Sequence, residues 1–321
     1  MSRQDDSLAL PDGSRQIVLQ SEPEILGREL IYSFCHSGIT IVSAIAVVSL
    51  ILAAVLAPWI APHDPFDLRQ LNLLDSHAPP AWLKGGDARF LLGTDDQGRD
   101  ILSAILYGLR LSLTIGALAA ALAAFVGVIL GLIAGYSRGK LDSFIMRVAD
   151  VQLTFPAILI ALLIDGTVRA INTEFIGEQR ALWVLVLAIS LSYWVQYARV
   201  VRVATIVEAQ KDYVLAARLI GIRPPVILFT HVLPNVIGPA MVILTINLAF
   251  AIILEATLSF LGVGLPPTQP SLGTLIRVGN NFLFSGEWWM AVFPSIVLAA
   301  LVVAVNVIGD WLRDALNPKL R

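Results

Sequence analysis

Stretches without a formal charge, each long enough to cross a bilayer, recur along this chain. Ile39 to Ile60 contains no Asp, Glu, Lys or Arg, and neither do Leu111 to Ser137, Ala181 to Ala198 or Trp288 to Gly309. A helix needs about 20 mostly apolar residues to cover the ~30 Å hydrocarbon core, so these four read as transmembrane helices. Pro224 to Leu254 is also uncharged, but Pro224, Pro225, His231 and Pro234 interrupt its first part. The span there is expected from near Val236, past Glu255, to about Leu261. Val151 to Ile164 is shorter, lying between Asp150 and Asp165, a length that also fits a buried soluble helix. Its neighbours are membrane segments and Phe144 to Met146 can extend it, so it is predicted as the sixth span. The pattern predicts an all-α integral membrane protein with six transmembrane helices.

Composition agrees. Of 321 residues, 57% are hydrophobic and 14% charged, where about 25% charged is usual for soluble domains. That balance excludes disorder, a coiled coil and a nucleic-acid-binding domain. One cysteine, Cys35, leaves no internal disulfide and no cysteine cluster for zinc. The cations orient the spans by the positive-inside rule. With the N-terminus inside, the inner segments hold Arg3, Arg15 and Arg28, then Arg138, Lys140 and Arg147, then Arg199, Arg202, Lys211, Arg218 and Arg223, then Arg313, Lys319 and Arg321. These are the majority of the 22 Lys and Arg, so both termini are predicted cytoplasmic. The first ~30 residues carry Asp5, Asp6, Asp12, Glu22, Glu24 and Glu29, unlike a cleaved signal, so the first span is expected to be retained.

The expected organisation is a polar cytoplasmic segment 1–38, a membrane domain 39–310 and a cytoplasmic tail 311–321. Inside the membrane domain lie an outer loop 61–110, a cytoplasmic segment 199–235 and a second outer loop from Gly262 to Glu287. Pro266, Pro267 and Pro270 are expected to preclude a regular helix in the last of these. Gly127, Gly131 and Gly135 fall at intervals of four and line one helix face, which favours close packing of a second helix. Asn247 and Asn306 read as polar glue between helices. Glu255 is the acidic residue well inside a span, and two readings stay open: a functional intramembrane carboxyl, or a group near enough to the helix end to reach interfacial water.

The cytoplasmic segment carries the strongest local signals. Asp212 is placed to cap a short helix whose Tyr213, Ala216, Ala217 and Ile220 share a face. Gly221 follows at the left-handed C′ position, and Pro224 and Pro225 open a second short helix, Val226 to Leu233, that Pro234 is expected to stop. A small-residue face followed by a fixed bend suits docking in a partner's groove, the alternative being an amphipathic helix resting on lipid.

Leu215-Ala216-Ala217-Arg218-Leu219-Ile220-Gly221, followed by His231-Val232-Leu233-Pro234-Asn235, resembles the Glu-Ala-Ala loop of permease subunits in ATP-binding-cassette importers. Leu215 stands where that motif has Glu, and His231 where it often has Ile. Further stretches narrow the resemblance: Leu92 to Asp100 (LGTDDQGRD), Asp150 with Phe155-Pro156, Leu258 to Gly262 (LSFLG) with Pro266-Pro267, and Gly309 to Pro318 (GDWLRDALNP). Together they look like the second permease subunit of the peptide and nickel importer family, in pattern most like the dipeptide and oligopeptide permease C proteins.

The resemblance implies a type I importer permease fold in the bacterial inner membrane. It also implies a heterodimer with a homologous permease subunit, two ATP-binding subunits and an external substrate-binding protein. ATP and Mg would be held by the partners, with no cofactor and no metal in this chain. Gly135 to Lys140 only superficially resembles a phosphate-binding loop: the spacing is short, Ser or Thr is missing after Lys140, and it follows a membrane helix. The coupling contact is expected at Asp212, Tyr213, Ala216, Ala217, Ile220, Gly221, His231, Leu233 and Pro234. Ala217→Arg is expected to abolish substrate-stimulated ATP hydrolysis with assembly intact. Gly93, Asp95, Arg99 and Asp100 are expected at an outer gate or binding-protein contact, against the alternative of a rigid turn in which Arg99 pairs with a nearby Asp.

Two other classes are disfavoured. An ion-coupled carrier usually shows inverted repeats and ionisable relays near the midplane. An enzyme is disfavoured because His36, His63, His77 and His231 are scattered and no nucleophile motif is present. The substrate expected by base rate is a di- or oligopeptide, with nickel, glutathione or opine-like ligands as alternatives.

Overall fold

The computed structural model describes residues 32–67, 71–171, 180–266 and 268–315. The predicted segment 1–38 lies outside them as far as residue 31, as do Pro267 and residues 316–321 of the predicted tail. α1 spans Gly38–Ile60 and opens on Ser37, whose hydroxyl accepts from the Thr40 amide. α2 spans Ile101–Ser137, so the preceding loop ends at Asp100 and not at residue 110. The cause is local: the Asp100 carboxylate accepts from both the amide and the hydroxyl of Ser103, satisfying the first free amides and starting the helix early. At 37 residues α2 is about 55 Å long, well over the hydrocarbon thickness.

The expected sixth span is two helices. α3 (Gly139–Leu153) and α4 (Ala157–Ile171) meet at 95° across Thr154 to Pro156. Pro156 lacks an amide hydrogen and disfavours helical geometry at Phe155, so the helix breaks there and restarts. α5 spans Arg180–Glu208, ten residues beyond the predicted span, because its late cations are matched. Arg202 donates two hydrogen bonds to the Asp142 carboxylate, one at 2.6 Å, and Arg199 reaches Asp150 at 2.6 Å, so α3 holds the extension in place.

α6 is Asp212–Leu219. The chain then turns through Pro224–Val226 and a π-helical stretch, Ile227–Val232, straight into α7, Leu233–Phe260. The expected stop at Pro234 does not occur. Pro234 is the second residue of α7, directly after the π-helical stretch, whose wider turn accommodates it, and the helix runs on. Beyond α7, the loop predicted to be irregular contains α8, Leu272–Phe282, because Ser271 caps it immediately after Pro270. α9, Trp289–Ala315, runs five residues into the predicted tail.

By length and composition α1, α2, α5, the Pro224–Phe260 helix and α9 can each cross a membrane, and the bent α3–α4 pair makes a sixth if it acts as one span. α5 is the centre of the bundle, with 56% of its apolar window buried against 17% for α1. It lies against α2 at the three glycines. A Cβ on Gly127, Gly131 or Gly135 would fall within 2.7 Å of the carbonyl oxygen of Trp194, Ala198 or Arg202 respectively. Only glycine permits that approach, which in lipid supplies packing that the hydrophobic effect does not.

The contacts advance in the same direction on both helices, so α2 and α5 run parallel. The α3–α4 pair therefore returns the chain to the end where α2 began. At one end of the bundle Phe34 packs edge-on against Trp311, ring centroids 5.2 Å apart, bringing the two ends of the described chain together. At the other end the Trp289 indole donates to the Thr94 carbonyl at 3.3 Å, tying the 61–100 loop to the start of α9.

Candidate functional site

The end of the bundle that holds Phe34 and Trp311 also carries the connection from α5 to α7. α6 closes with Gly221 at φ +82°, a conformation that favours glycine. The Gly221 amide donates to the Arg218 carbonyl and the Ile222 amide to the Ala217 carbonyl, each at 3.1 Å, which is a Schellman turn. Asp212 lies in the first turn, but its side chain makes no cap: Lys211 takes the cap position without a side-chain hydrogen bond.

Tyr213 fastens the turn to the bundle. Its hydroxyl donates to the Glu208 carboxylate and accepts from the Asn235 amide at 3.0 Å, and its ring stacks against His231. Burial, and then the hydrogen bond to Glu208, push the Tyr213 phenol up to about 12, so it stays protonated as a donor. Glu208 also binds the Lys211 ammonium at 2.8 Å, and Arg218 lies over the Tyr136 ring, 4.4 Å from its centroid. The end of α5, α6 and the start of α7 are thus held as one rigid unit.

The face expected to be shared divides. Val214 and Ala217 are buried in the chain's own core with Leu132, Val201, Ile227, Val232 and Val236. Ala216 is exposed, Ile220 is 77% exposed and Leu219 is 87% exposed. Ala217 is therefore an anchor. An arginine there would place a charge among these apolar side chains, so Ala217→Arg would damage the fold before it reported on coupling. Leu219 was missed in the sequence, although its place one turn beyond Leu215 on an eight-residue helix was visible. Leu233 is half-buried, and Pro234 is exposed at the start of α7.

At the opposite end the motif from Leu92 to Asp100 folds inward. Gly93 has φ +84°, and a Cβ on it would meet the Ala78 carbonyl oxygen at 2.6 Å. Asp95 accepts from the amides of Gln97 and Arg99 through one oxygen and from Arg99 Nε at 2.6 Å through the other. The three charged residues expected at a gate or docking contact, Asp95, Arg99 and Asp100, are each at most 3% exposed. Burial, and then Asp95, raise the neighbouring Asp96 carboxyl above its ordinary value. The geometry is the rigid turn. Loop and bundle are further joined by His77, whose ring lies 2.6 Å from the Glu287 carboxylate.

Glu255 is fully buried and does not reach interfacial water. It accepts from the Ser259 hydroxyl at 2.8 Å, with Ser112 and Ser271 close by. Ser112 in turn accepts from the Leu272 amide at 3.2 Å. The carboxyl thus sits where α2, α7 and α8 meet.

The bundle of membrane-length helices thus holds one short helix rigidly at its end, with Leu219 and Ile220 exposed. The comparisons give the class. Residues 127–321 match the family of binding-protein-dependent transport system inner membrane components, and residues 26–80 match the N-terminal transmembrane domain of oligopeptide transport permease C. The chain belongs to that family and is a multi-pass inner membrane permease component of an ABC transporter, not an enzyme.

Among its relatives, the di/tripeptide transport system permease protein DppC of Pseudomonas aeruginosa is 37% identical over 92% of each chain. The dipeptide transport system permease protein DppC of Escherichia coli is 40% identical, covering 92% of this chain and 93% of the relative. Among solved structures, the inward-facing MetNI methionine ABC transporter aligns with a TM-score of 0.52 at 18% identity, covering 67% of this chain and 96% of that one. At that identity the likeness concerns the fold.

Proposed function

We propose that this permease moves di- or oligopeptides, forming half of a translocation pathway with a homologous second permease subunit. A substrate-binding protein delivers the peptide from outside, and two ATPase subunits drive the cycle from the cytoplasm, holding the ATP and Mg. In this reading the chain crosses six times in a type I arrangement with both termini cytoplasmic, which the parallel α2 and α5 and the Phe34–Trp311 contact support. The domain boundaries become a membrane unit from Gly38 to Ala315 with the coupling segment between Glu208 and Asn235.

The observation that carries the reading is the fixed α6 turn, which presents Leu219 and Ile220 outside the core while Ala217 and Tyr213 lock it to α2, α5 and α7. A rigid lever transmits a displacement of its tip to the helices that hold it. A flexible loop would absorb the displacement instead. Peptide is favoured over nickel, glutathione or opine-like ligands by the peptide relatives at 37–40% identity along nearly the whole chain.

The test is reconstitution of the full complex in proteoliposomes with its binding protein. ATP-dependent uptake of a dipeptide, and a peptide identified by mass spectrometry in the purified binding protein, are the expected results. Uptake that ignores ATP and collapses with an ion gradient would contradict the reading.

A further inference from the structure

α2 carries one charged side chain between Ile101 and Ser137, namely Arg110. It stands about 14 Å along the axis from the start of the helix. The uncharged span begins one residue later, at Leu111, and α2 is longer than the hydrocarbon is thick, so this exposed guanidinium stands at the margin of the membrane. Arg110 forms no ion pair among the described residues, and it lines a cavity of about 860 Å³. The size is that of a small-molecule site.

The cavity lies between the start of α2 and the loop after α7. Phe66 and Tyr107 form an aromatic wall, their rings edge-to-face at 5.1 Å. Thr114, Thr268 and Gln269 add neutral hydrogen-bonding groups, and among the described residues no acidic side chain lines the space. Gln269 is held there by its amide, which donates to the Pro266 carbonyl at 2.9 Å. One guanidinium outside any ion pair among the described residues, three neutral polar side chains and an aromatic wall suit a monoanionic carboxylate attached to an amphipathic body. A guanidinium binds a carboxylate through two parallel hydrogen bonds, which a point charge cannot reproduce.

We propose that this cavity is a substrate subsite in which Arg110 receives the C-terminal carboxylate of the transported peptide. The proposal rests on the peptide reading above and adds a specificity-determining residue within this chain. The alternative occupant of the guanidinium is a lipid phosphate, reached by extending toward the interface.

The test compares maximal uptake of a dipeptide and of the same dipeptide as its C-terminal amide. Each is supplied at a concentration that saturates the binding protein, using reconstituted wild-type, Arg110→Gln and Arg110→Lys complexes. Wild type is expected to prefer the free acid. Arg110→Gln should lose roughly tenfold or more of its free-acid uptake, the effect of removing a hydrogen bond to a charged group. Its amide uptake should stay near wild type, which also shows that the variant folds and assembles. Arg110→Lys, with the charge but not the fork, should fall between. Equal uptake of acid and amide by wild type, or an unchanged preference in Arg110→Gln, overturns the proposal. Full rescue by Lys with unchanged preference assigns Arg110 to a lipid phosphate and overturns it as well. Wild type that takes up neither peptide contradicts the peptide reading itself.

Discussion

The two connections at opposite ends of this bundle invert the usual relation between charge and exposure. The 61–100 loop is dense in aspartate and arginine, yet Asp95, Arg99 and Asp100 are turned inward, Asp95 and Arg99 bound to each other and Asp100 to Ser103. The segment from Glu208 to Asn235 also keeps polar groups at its base, in the Glu208–Lys211–Tyr213–Asn235 network, but its tip is apolar and exposed at Leu219 and Ile220. In the first region charge builds a rigid scaffold. In the second, a small polar network positions an apolar surface, and that surface is what a partner can grip. A motif rich in charge therefore does not mark a contact site unless its charges remain accessible.

The comparison breaks most visibly if the loop's ion pair is removed. Arg99→Ala strands the buried Asp95 carboxylate and is expected to cost about 3–5 kcal/mol, seen as a large fall in thermal unfolding temperature in detergent and in the yield of assembled complex. Unchanged stability would mean that the Asp95–Arg99 pair is not buried as described. Next in size is Ala217→Leu, which overfills the core among Leu132, Val201 and Ile227 and should cost about 1–3 kcal/mol by the same assay. A neutral result would place Ala217 on the outer face with Ala216. Tyr213→Phe removes the hydroxyl that joins Glu208 to Asn235. About 1 kcal/mol of stability should be lost, with a partial drop in coupling of ATP hydrolysis to uptake, since the lever's base is loosened but not unseated.

Much of the fold was legible because lipid tolerates few charges, so uncharged runs locate helices with little ambiguity. The six-span expectation came from that rule, and it weakened where the rule has least to work with, at the 14 residues between Asp150 and Asp165. Pro156 was visible there, but its consequence, a 95° bend, depends on how α3 packs on α5 through Asp142, Arg202 and Asp150. Capping was read less well. Asp212 looks like a cap and is not one, while Asp100 and Ser271 cap helices that begin inside segments expected to be loops.

In the candidate site, Gly221's left-handed turn followed from its position after a short apolar helix. The division between Ala216 and Ala217 did not follow. Both alanines fall within the width of one apolar face, and only the packing of α6 against α2, α5 and the Ile227–Val232 stretch decides which of them is covered. The π-helical passage through Ile227–Val232 had no sequence signal, and it lets Pro234 join a continuous helix that the proline rule alone would end.

The central claim is that Leu219 and Ile220 form a grip surface whose loss leaves the permease folded. The most direct measurement is substrate-stimulated ATP hydrolysis by the reconstituted complex carrying Ile220→Asp, beside its thermal unfolding in detergent. An exposed substitution of this kind should change stability by no more than about 0.5 kcal/mol. The account predicts wild-type unfolding with stimulation lost. Wild-type stimulation in the folded variant would contradict it.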